Sequence, residues 1–310
     1  MSNRPSKKRS SSARVQAAST AGQSSNRVWI IGLVAVVAVG AVIIFAIASS
    51  NTSGSGDNIT GRKAAPQALV TKVTQVPANV ITTVGAGSTL GLPKPINGKP
   101  IEVNGKPGVL YIGAEYCPYC ATERWAMVNA LSRFGTFSNL QITNSSTTDV
   151  DPGTKTWSFY KAGYTSDYIH FTGVETEDNN KAKLETPTAA QQQILATYDA
   201  APYVAANSTG SIPFIYFNGE YLISGATYDV GVLQGKTWDQ IATAMQDPTT
   251  AVAKGVIGAA NGITAAICLT TKNQPSTVCS LPVIKSLQTQ IKAQSSSASS
   301  STGNSSTLNP

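Results

Sequence analysis

The sequence predicts an α/β domain behind one N-terminal transmembrane helix, and three observations carry that prediction. Strand-like and helix-like segments alternate along residues 66–290. A stretch of 21 residues from Val28 to Ala48 holds no charge and is rich in Val, Ile and Ala. The apolar run Val109-Leu110-Tyr111-Ile112-Gly113-Ala114 leads into Cys117-Pro118-Tyr119-Cys120, which opens a helix-periodic segment.

Residues 1–27 are rich in Ser, Arg and Lys without apolar periodicity, as expected of a disordered cytoplasmic tail. At the helical rise per residue, residues 28–48 just cross a hydrocarbon core of roughly 30 Å. The basic flank keeps the N-terminus in the cytoplasm, Trp29 stands where an interfacial anchor belongs, and the C-terminal body is then extracytoplasmic, at the cell membrane. A cleaved signal peptide is the alternative, with Ala46-Ile47-Ala48 as its cleavage site, but the apolar run exceeds the usual roughly 7–15 residues. Residues 49–65, containing the Ser-, Gly- and Asn-rich stretch from Asn51 to Gly61, read as a flexible linker.

Within the body, Asn97-Gly98 and Asn104-Gly105 are turn signals bracketing a short strand, Pro100 to Val103. Val109 to Ala114 is apolar on both faces, as a central strand should be. Met127, Ala130, Leu131 and Phe134 recur at i, i+3, i+4 and i+7 and give one helix face, with Gly135 as the stop. Leu140 to Thr147 reads as a strand. Trp157 to Tyr160 and Tyr168 to Val174 read as β-prone segments joined by a Gly-containing turn. A helix is expected over Pro187 to Tyr198, and a hairpin from Ile212–Phe217 and Tyr221–Ser224 around Asn218-Gly219-Glu220. Helices over Thr237 to Met245 and Thr250 to Leu269 close the body, and residues 291–310 are expected to be a disordered Ser-rich tail.

Composition narrows the function. A hydrophobic content of 41% supports a buried core. The formal charge of +7 is uneven: Arg4, Lys7, Lys8, Arg9, Arg14 and Arg27 precede residue 28, leaving 17 positive against 16 negative charges afterwards. A nearly neutral body lacks the basic surface that nucleic acid requires. Outside the cytoplasm disulfides persist, and four cysteines suffice for two pairs. Asn-x-Ser/Thr triplets at Asn51, Asn58, Asn144, Asn207 and Asn304 permit glycosylation.

Cys117 and Cys120 stand one helical turn apart at a strand-to-helix junction. The first thiol can point out of the helix N-terminus, where backbone N–H groups favour the thiolate, and the second can resolve a mixed disulfide. Pro118 in the first turn costs no hydrogen bond, and Tyr116 and Tyr119 flank the thiol as a client-contact surface. A zinc site would want a second close pair, but Cys268 and Cys279 are ten residues apart internally and His170 is the sole histidine. No metal and no cofactor is therefore expected. Cys268 and Cys279, separated by a turn-forming link, are read as a structural disulfide contributing roughly 2–3 kcal/mol. Trp125, Trp157 and Trp238 are read as core or rim aromatics, and His170 as a packed or surface residue.

Strand, Cys-x-x-Cys, helix and a later Ile-Pro ahead of a hairpin resemble the thioredoxin superfamily. The Glu115-Tyr116-Cys117-Pro118-Tyr119-Cys120 stretch, the Trp125 helix, Ser211-Ile212-Pro213-Phe214 and the anchor are most similar to the thioredoxin-like family termed domain of unknown function 929. The resemblance implies a thioredoxin-like fold with an insertion between residues 135 and 208, similar in position to the helical insert of DsbA-like oxidases. It also implies a cis Pro213 beside the dithiol, with Ile212 pairing with an extended client by β-addition. Two positions depart from the pattern. Tyr111 stands where thioredoxins bury an acid, and Glu115, expected to be exposed, is the nearby candidate for proton transfer. Pro118-Tyr119 is glutaredoxin-like, whereas Ser224-Gly225 matches only part of the glutaredoxin paired-glycine turn. The implied activity is membrane-anchored, extracytoplasmic thiol-disulfide exchange on protein cysteines, with an unidentified redox partner for recycling. The alternative is a non-catalytic cell-surface binding module in which Cys117 and Cys120 form a structural disulfide.

Overall fold

A computed structural model describes residues 59–301, all within one compact unit, Gly54–Pro310. The expected cytoplasmic tail, the transmembrane segment 28–48 and the first part of the linker lie outside the described residues. So does the end of the Ser-rich tail.

The chain is a mixed α/β structure. It begins with strand β1 (Lys63–Ala64), helices α1 (Gln67–Thr74) and α2 (Ala78–Val84), and strands β2 (Lys94–Pro95), β3 (Glu102–Val103) and β4 (Lys106–Gly113). Helix α3 (Pro118–Leu131) is followed by β5 (Gly135–Ser138), β6 (Gln141–Asn144), β7 (Lys155–Ser158), β8 (Gly163–Ser166) and β9 (His170–Glu175). After α4 (Ala189–Tyr198) come β10 (Phe214–Phe217), β11 (Tyr221–Ser224), α5 (Trp238–Ala244), α6 (Ala251–Thr270), α7 (Ser276–Cys279) and α8 (Pro282–Ser301).

The principal sheet has six strands and is organised about β4. On one side β10 runs antiparallel to it, Ile215 opposite Tyr111, and continues through β11 to β2. On the other side β9 runs parallel, Tyr111 opposite Gly173, while β3 forms a hairpin with the start of β4. Alternate residues point to opposite faces of a strand, and both faces of β4 are covered. Val109 and Tyr111 join the larger core with residues of α3, α6 and α8, whereas Leu110 and Ile112 join a second core with Phe214, Tyr216 and Ile194 of α4. This explains the uninterrupted apolar run in β4. The β3–β4 and β10–β11 turns use Asn104 and Asn218 at φ 53° and 48°, each followed by a glycine at positive φ, as their Asn-Gly dipeptides predict.

Several expectations need correction. Helix α3 is not amphipathic with one buried face: every residue from Cys120 to Leu131 is buried. Helices α6 and α1 and strand β7 pack around it, with Trp125 Nε1 donating to the Lys155 carbonyl at 2.8 Å and Asn129 Nδ2 to the Val73 carbonyl at 2.8 Å. The helix ends at Leu131 with Ser132 as its cap, and Gly135, expected as the stop, instead starts β5. Gly163, expected in a turn, pairs with Ser138 inside the β5–β8 ladder. The inserted stretch after α3 holds strands where they were expected, at β6, β7 and β9, and the expected helix at α4, but adds the unforeseen β5 and β8; β6 and β7 form a separate three-stranded sheet with β1.

The body also exceeds its expected limits of 66–290. Lys63 and Ala64 pair with Ile142 and Gln141, and Ile59 is buried, so the end of the linker is part of the fold. Helix α8 continues past residue 290 to Ser301, held against α6 by Ile284, Leu287 and Ile291 at helical spacing. Helices α1 and α2 were not foreseen. Helix α6 is long and apolar enough to cross a membrane, yet it is buried along nearly all its length and serves as a core helix. Asn144 is buried, with its Oδ1 accepting from the Ile59 N–H at 2.7 Å, which removes it as a glycosylation acceptor.

Candidate functional site

The end of β4 delivers the chain to Ala114, and Cys117 caps α3 in an extended conformation with Pro118 in the first turn. The backbone N–H of Cys120 donates to Cys117 Sγ at 3.3 Å. Across from it, the Ile212–Pro213 bond is cis, and the Ile212 carbonyl lies 3.7 Å from Cys117 Sγ, accepting from the thiol. The Gly225 N–H at the end of β11 donates to the Pro213 carbonyl at 2.8 Å and holds that loop to the sheet. Cys117 and Cys120, which are free thiols here, are thus brought together with Ile212 and Pro213 from a segment some 95 residues later.

The two sulfurs differ in setting. Cys117 is 5% exposed and Cys120 fully buried. The Cys120 thiol hydrogen-bonded to Cys117 lowers the Cys117 pKa, overcoming the opposing effect of burial, with help from backbone N–H groups at the helix start and the charge of Arg124. Burial pushes Cys120 well above the ordinary thiol range, and its hydrogen bond to Cys117 adds to the rise. Tyr119 is 46% exposed beside this pair, while Pro118 is buried. Tyr116 is half-buried, with Lys181 Nζ 5.0 Å from its ring centre.

Glu115 is not the exposed residue expected. It is fully buried, accepts from the Ser158 hydroxyl and pairs with Arg62 at 2.8 Å. Its own N–H is tied to the Glu177 carbonyl, which turns the side chain inward toward β7. Burial raises its pKa, against the lowering effect of the Ser158 hydrogen bond. Tyr111 occupies the position of the expected acid and is fully buried, edge-on to Phe159 at 5.0 Å.

Beneath the thiols lies an ion pair that sequence reasoning missed. Arg124 Nε and Nη2 donate to the two carboxylate oxygens of Glu175 at 2.8 and 2.7 Å, and Nη2 also reaches the Ala114 carbonyl at 2.7 Å. Neither side chain is exposed. Such a bidentate pair fixes α3 against β9 and the turn before Cys117. One residue earlier, Glu123 is buried and accepts from the N–H and hydroxyl of Thr227, with burial raising its pKa to about 7. A charged Glu123-Arg124 step inside a mostly apolar helix was the available signal, and the partners Glu175 and Thr227 are too remote in sequence to be read.

The other candidates separate from this site. Cys268 and Cys279 form a disulfide joining the last turn of α6 to α7, as expected. His170 is exposed at the start of β9. Trp125, Trp157 and Trp238 are buried, the first two packed edge-on at 5.2 Å.

Residues 94–269 match the family described as Domain of unknown function (DUF929). The chain belongs to this family. The DUF929 region contains Cys117, Cys120, Pro213, Arg124, Glu175 and Tyr111, whereas Arg62 and Cys279 lie outside it. Neither the curated proteins nor the solved structures contain a match to the chain.

Proposed function

We propose that this DUF929 protein is an extracytoplasmic thiol-disulfide oxidoreductase with a thioredoxin-like fold, anchored by residues 28–48 and acting on protein cysteines. The observation that carries the reading is the pair of unequal thiols. Cys117, with a lowered pKa, caps a helix against the Ile212 carbonyl, and Cys120, with a raised pKa, lies buried behind it. A strand, the dithiol, a helix and a cis-Pro element leading into an antiparallel hairpin support the thioredoxin-like assignment.

In the oxidising direction a client thiolate attacks Cys117 Sγ of the Cys117–Cys120 disulfide. The Cys117–Cys120 bond breaks, a client–Cys117 bond forms, and Cys120 leaves with the electron pair and takes up a proton. A second client thiolate then attacks the client sulfur, forming the client disulfide and releasing Cys117 as thiolate, the better leaving group of the two enzyme sulfurs. The same steps in reverse reduce a client disulfide. Ile212, beside the sulfur, offers backbone groups for an extended client strand, and Tyr119 offers an exposed ring for its side chains. A membrane redox partner resets the motif.

The test is disulfide exchange on a two-cysteine peptide by the full-length protein. Cys117→Ala should abolish exchange, and Cys120→Ala should accumulate a peptide–Cys117 mixed disulfide. Unchanged exchange in Cys117→Ala would refute the enzyme reading and favour a structural Cys117–Cys120 disulfide in a binding module.

A further inference from the structure

Burial works against Cys120, because a thiol fully removed from water resists becoming the thiolate needed to resolve a mixed disulfide. Arg124 and a backbone hydrogen bond at Ala114 oppose that effect, and the surroundings contain one further group that can offset it. Tyr111 is fully buried, and its hydroxyl has no hydrogen-bond partner among the described residues. Buried polar atoms without partners are rare enough to require an explanation.

Gly113 supplies the geometry. A Cβ at residue 113 would collide with the Tyr111 hydroxyl and stand 3.0 Å from Cys120 Sγ, so both groups crowd the space left by the missing side chain. Any larger residue at 113 would press on both. The Tyr111 hydroxyl from β4 and the resolving sulfur at the start of α3 therefore border the same space beside Gly113, without a hydrogen bond between them while Cys120 is a thiol. The charged and titratable groups around it are Arg124 from α3, Glu175 from β9 and the two thiols. The guanidinium favours the Cys120 thiolate, but Glu175 at 2.7 Å offsets much of its field. A neutral hydroxyl is not cancelled in this way, and a hydrogen bond donated to an anion in a dry site is among the stronger kinds.

We propose that the Tyr111 hydroxyl donates a hydrogen bond to the Cys120 thiolate, making Tyr111 the group that enables the buried sulfur to ionise. The role in resolution rests on the oxidoreductase reading above; the hydrogen bond itself does not. In the resolving step Cys120 attacks Cys117 Sγ of the mixed disulfide, and the Cys117–Cys120 bond forms as the client–Cys117 bond breaks. The leaving client thiolate takes the proton that Cys120 gave up, while Tyr111 keeps its own. Tyr111 itself stays protonated: burial raises its pKa, and negative charge on either cysteine adds to the rise by repulsion.

The experiment is an NMR titration of the selectively labelled Cys120 Cβ in the full-length, reduced protein. Tyr111→Phe removes only the oxygen and should raise the Cys120 pKa by about one unit, a tenfold loss of thiolate at a given pH below it. A fluorotyrosine placed at position 111 is a more acidic donor and should lower the Cys120 pKa. A folded Tyr111→Phe protein whose Cys120 titrates as in the wild type overturns the proposal. Should Tyr111→Phe fail to fold, an unshifted Cys120 in the fluorotyrosine protein overturns it instead. No client is needed for the titration. Shifted titrations in a protein without exchange activity would therefore sink only the oxidoreductase reading, and unshifted titrations in an active one only this proposal.

Discussion

Cys117 owes its lowered pKa first to the hydrogen bond from the Cys120 thiol and only then to the helix start and Arg124. Cys120→Ala should accordingly shift the pH profile of Cys117 alkylation upward, while a profile left in place would assign the acidity to the helix terminus alone. Glu123 makes a second titration accessible. Its pKa is raised from 4.5 to about 7 by burial, so the folded state binds the proton more tightly than the unfolded state does. The associated stability is fully present below about pH 4.5 and is lost as pH rises through about 7, amounting to a few kcal/mol. Glu123→Gln should lack that loss and melt at a higher temperature than the wild type at pH 8, with the two converging near pH 4.5; parallel melting curves across this range would contradict the assignment. Cys117, Cys120 and Pro213 were legible in sequence because covalent chemistry and proline geometry are properties of the residues themselves. The burial of Glu115 was not, because it depends on Ser158 and Arg62, which only the folded chain brings to it.

The decisive element is α3, which is buried on every side rather than along one face and carries the Arg124–Glu175 pair within that burial. Breaking a buried pair from one side leaves an uncompensated charge, typically costing about 3–5 kcal/mol. Glu175→Gln should reduce unfolding free energy by that order in urea titrations of the full-length protein. A change within about 0.5 kcal/mol would mean that the pair is dispensable to the fold. The periodicity of Met127, Ala130 and Leu131 correctly announced a helix, but period alone cannot show that a helix is covered on every side. Hairpins were read more accurately, since Asn104-Gly105 and Asn218-Gly219 state their own turn geometry.

For the whole molecule, the sheet around β4 was foreseen in its central strand and closing hairpin, as were β6, β7, β9 and α4, whereas β1 and the β5–β8 ladder were not foreseen in the insertion and its surroundings. Its ladders β1–β6–β7 and β5–β8 join segments without alternating patterns, and the pairing of Lys63–Ala64 with β6 draws the end of the expected linker into the body. The proposed anchor places this body outside the membrane, so the protein should resist carbonate extraction and be cleaved by protease added to intact cells; release by carbonate would argue for a cleaved signal peptide. The central claim is that Cys117 and Cys120 cycle as a redox pair. The most direct measurement is a thiol count, by mass spectrometry, on full-length protein equilibrated across glutathione buffers. The pair should convert reversibly between dithiol and disulfide at a midpoint between about −300 and −100 mV, with Cys268–Cys279 oxidised throughout. A Cys117–Cys120 pair fixed in one state across that whole range would contradict the account.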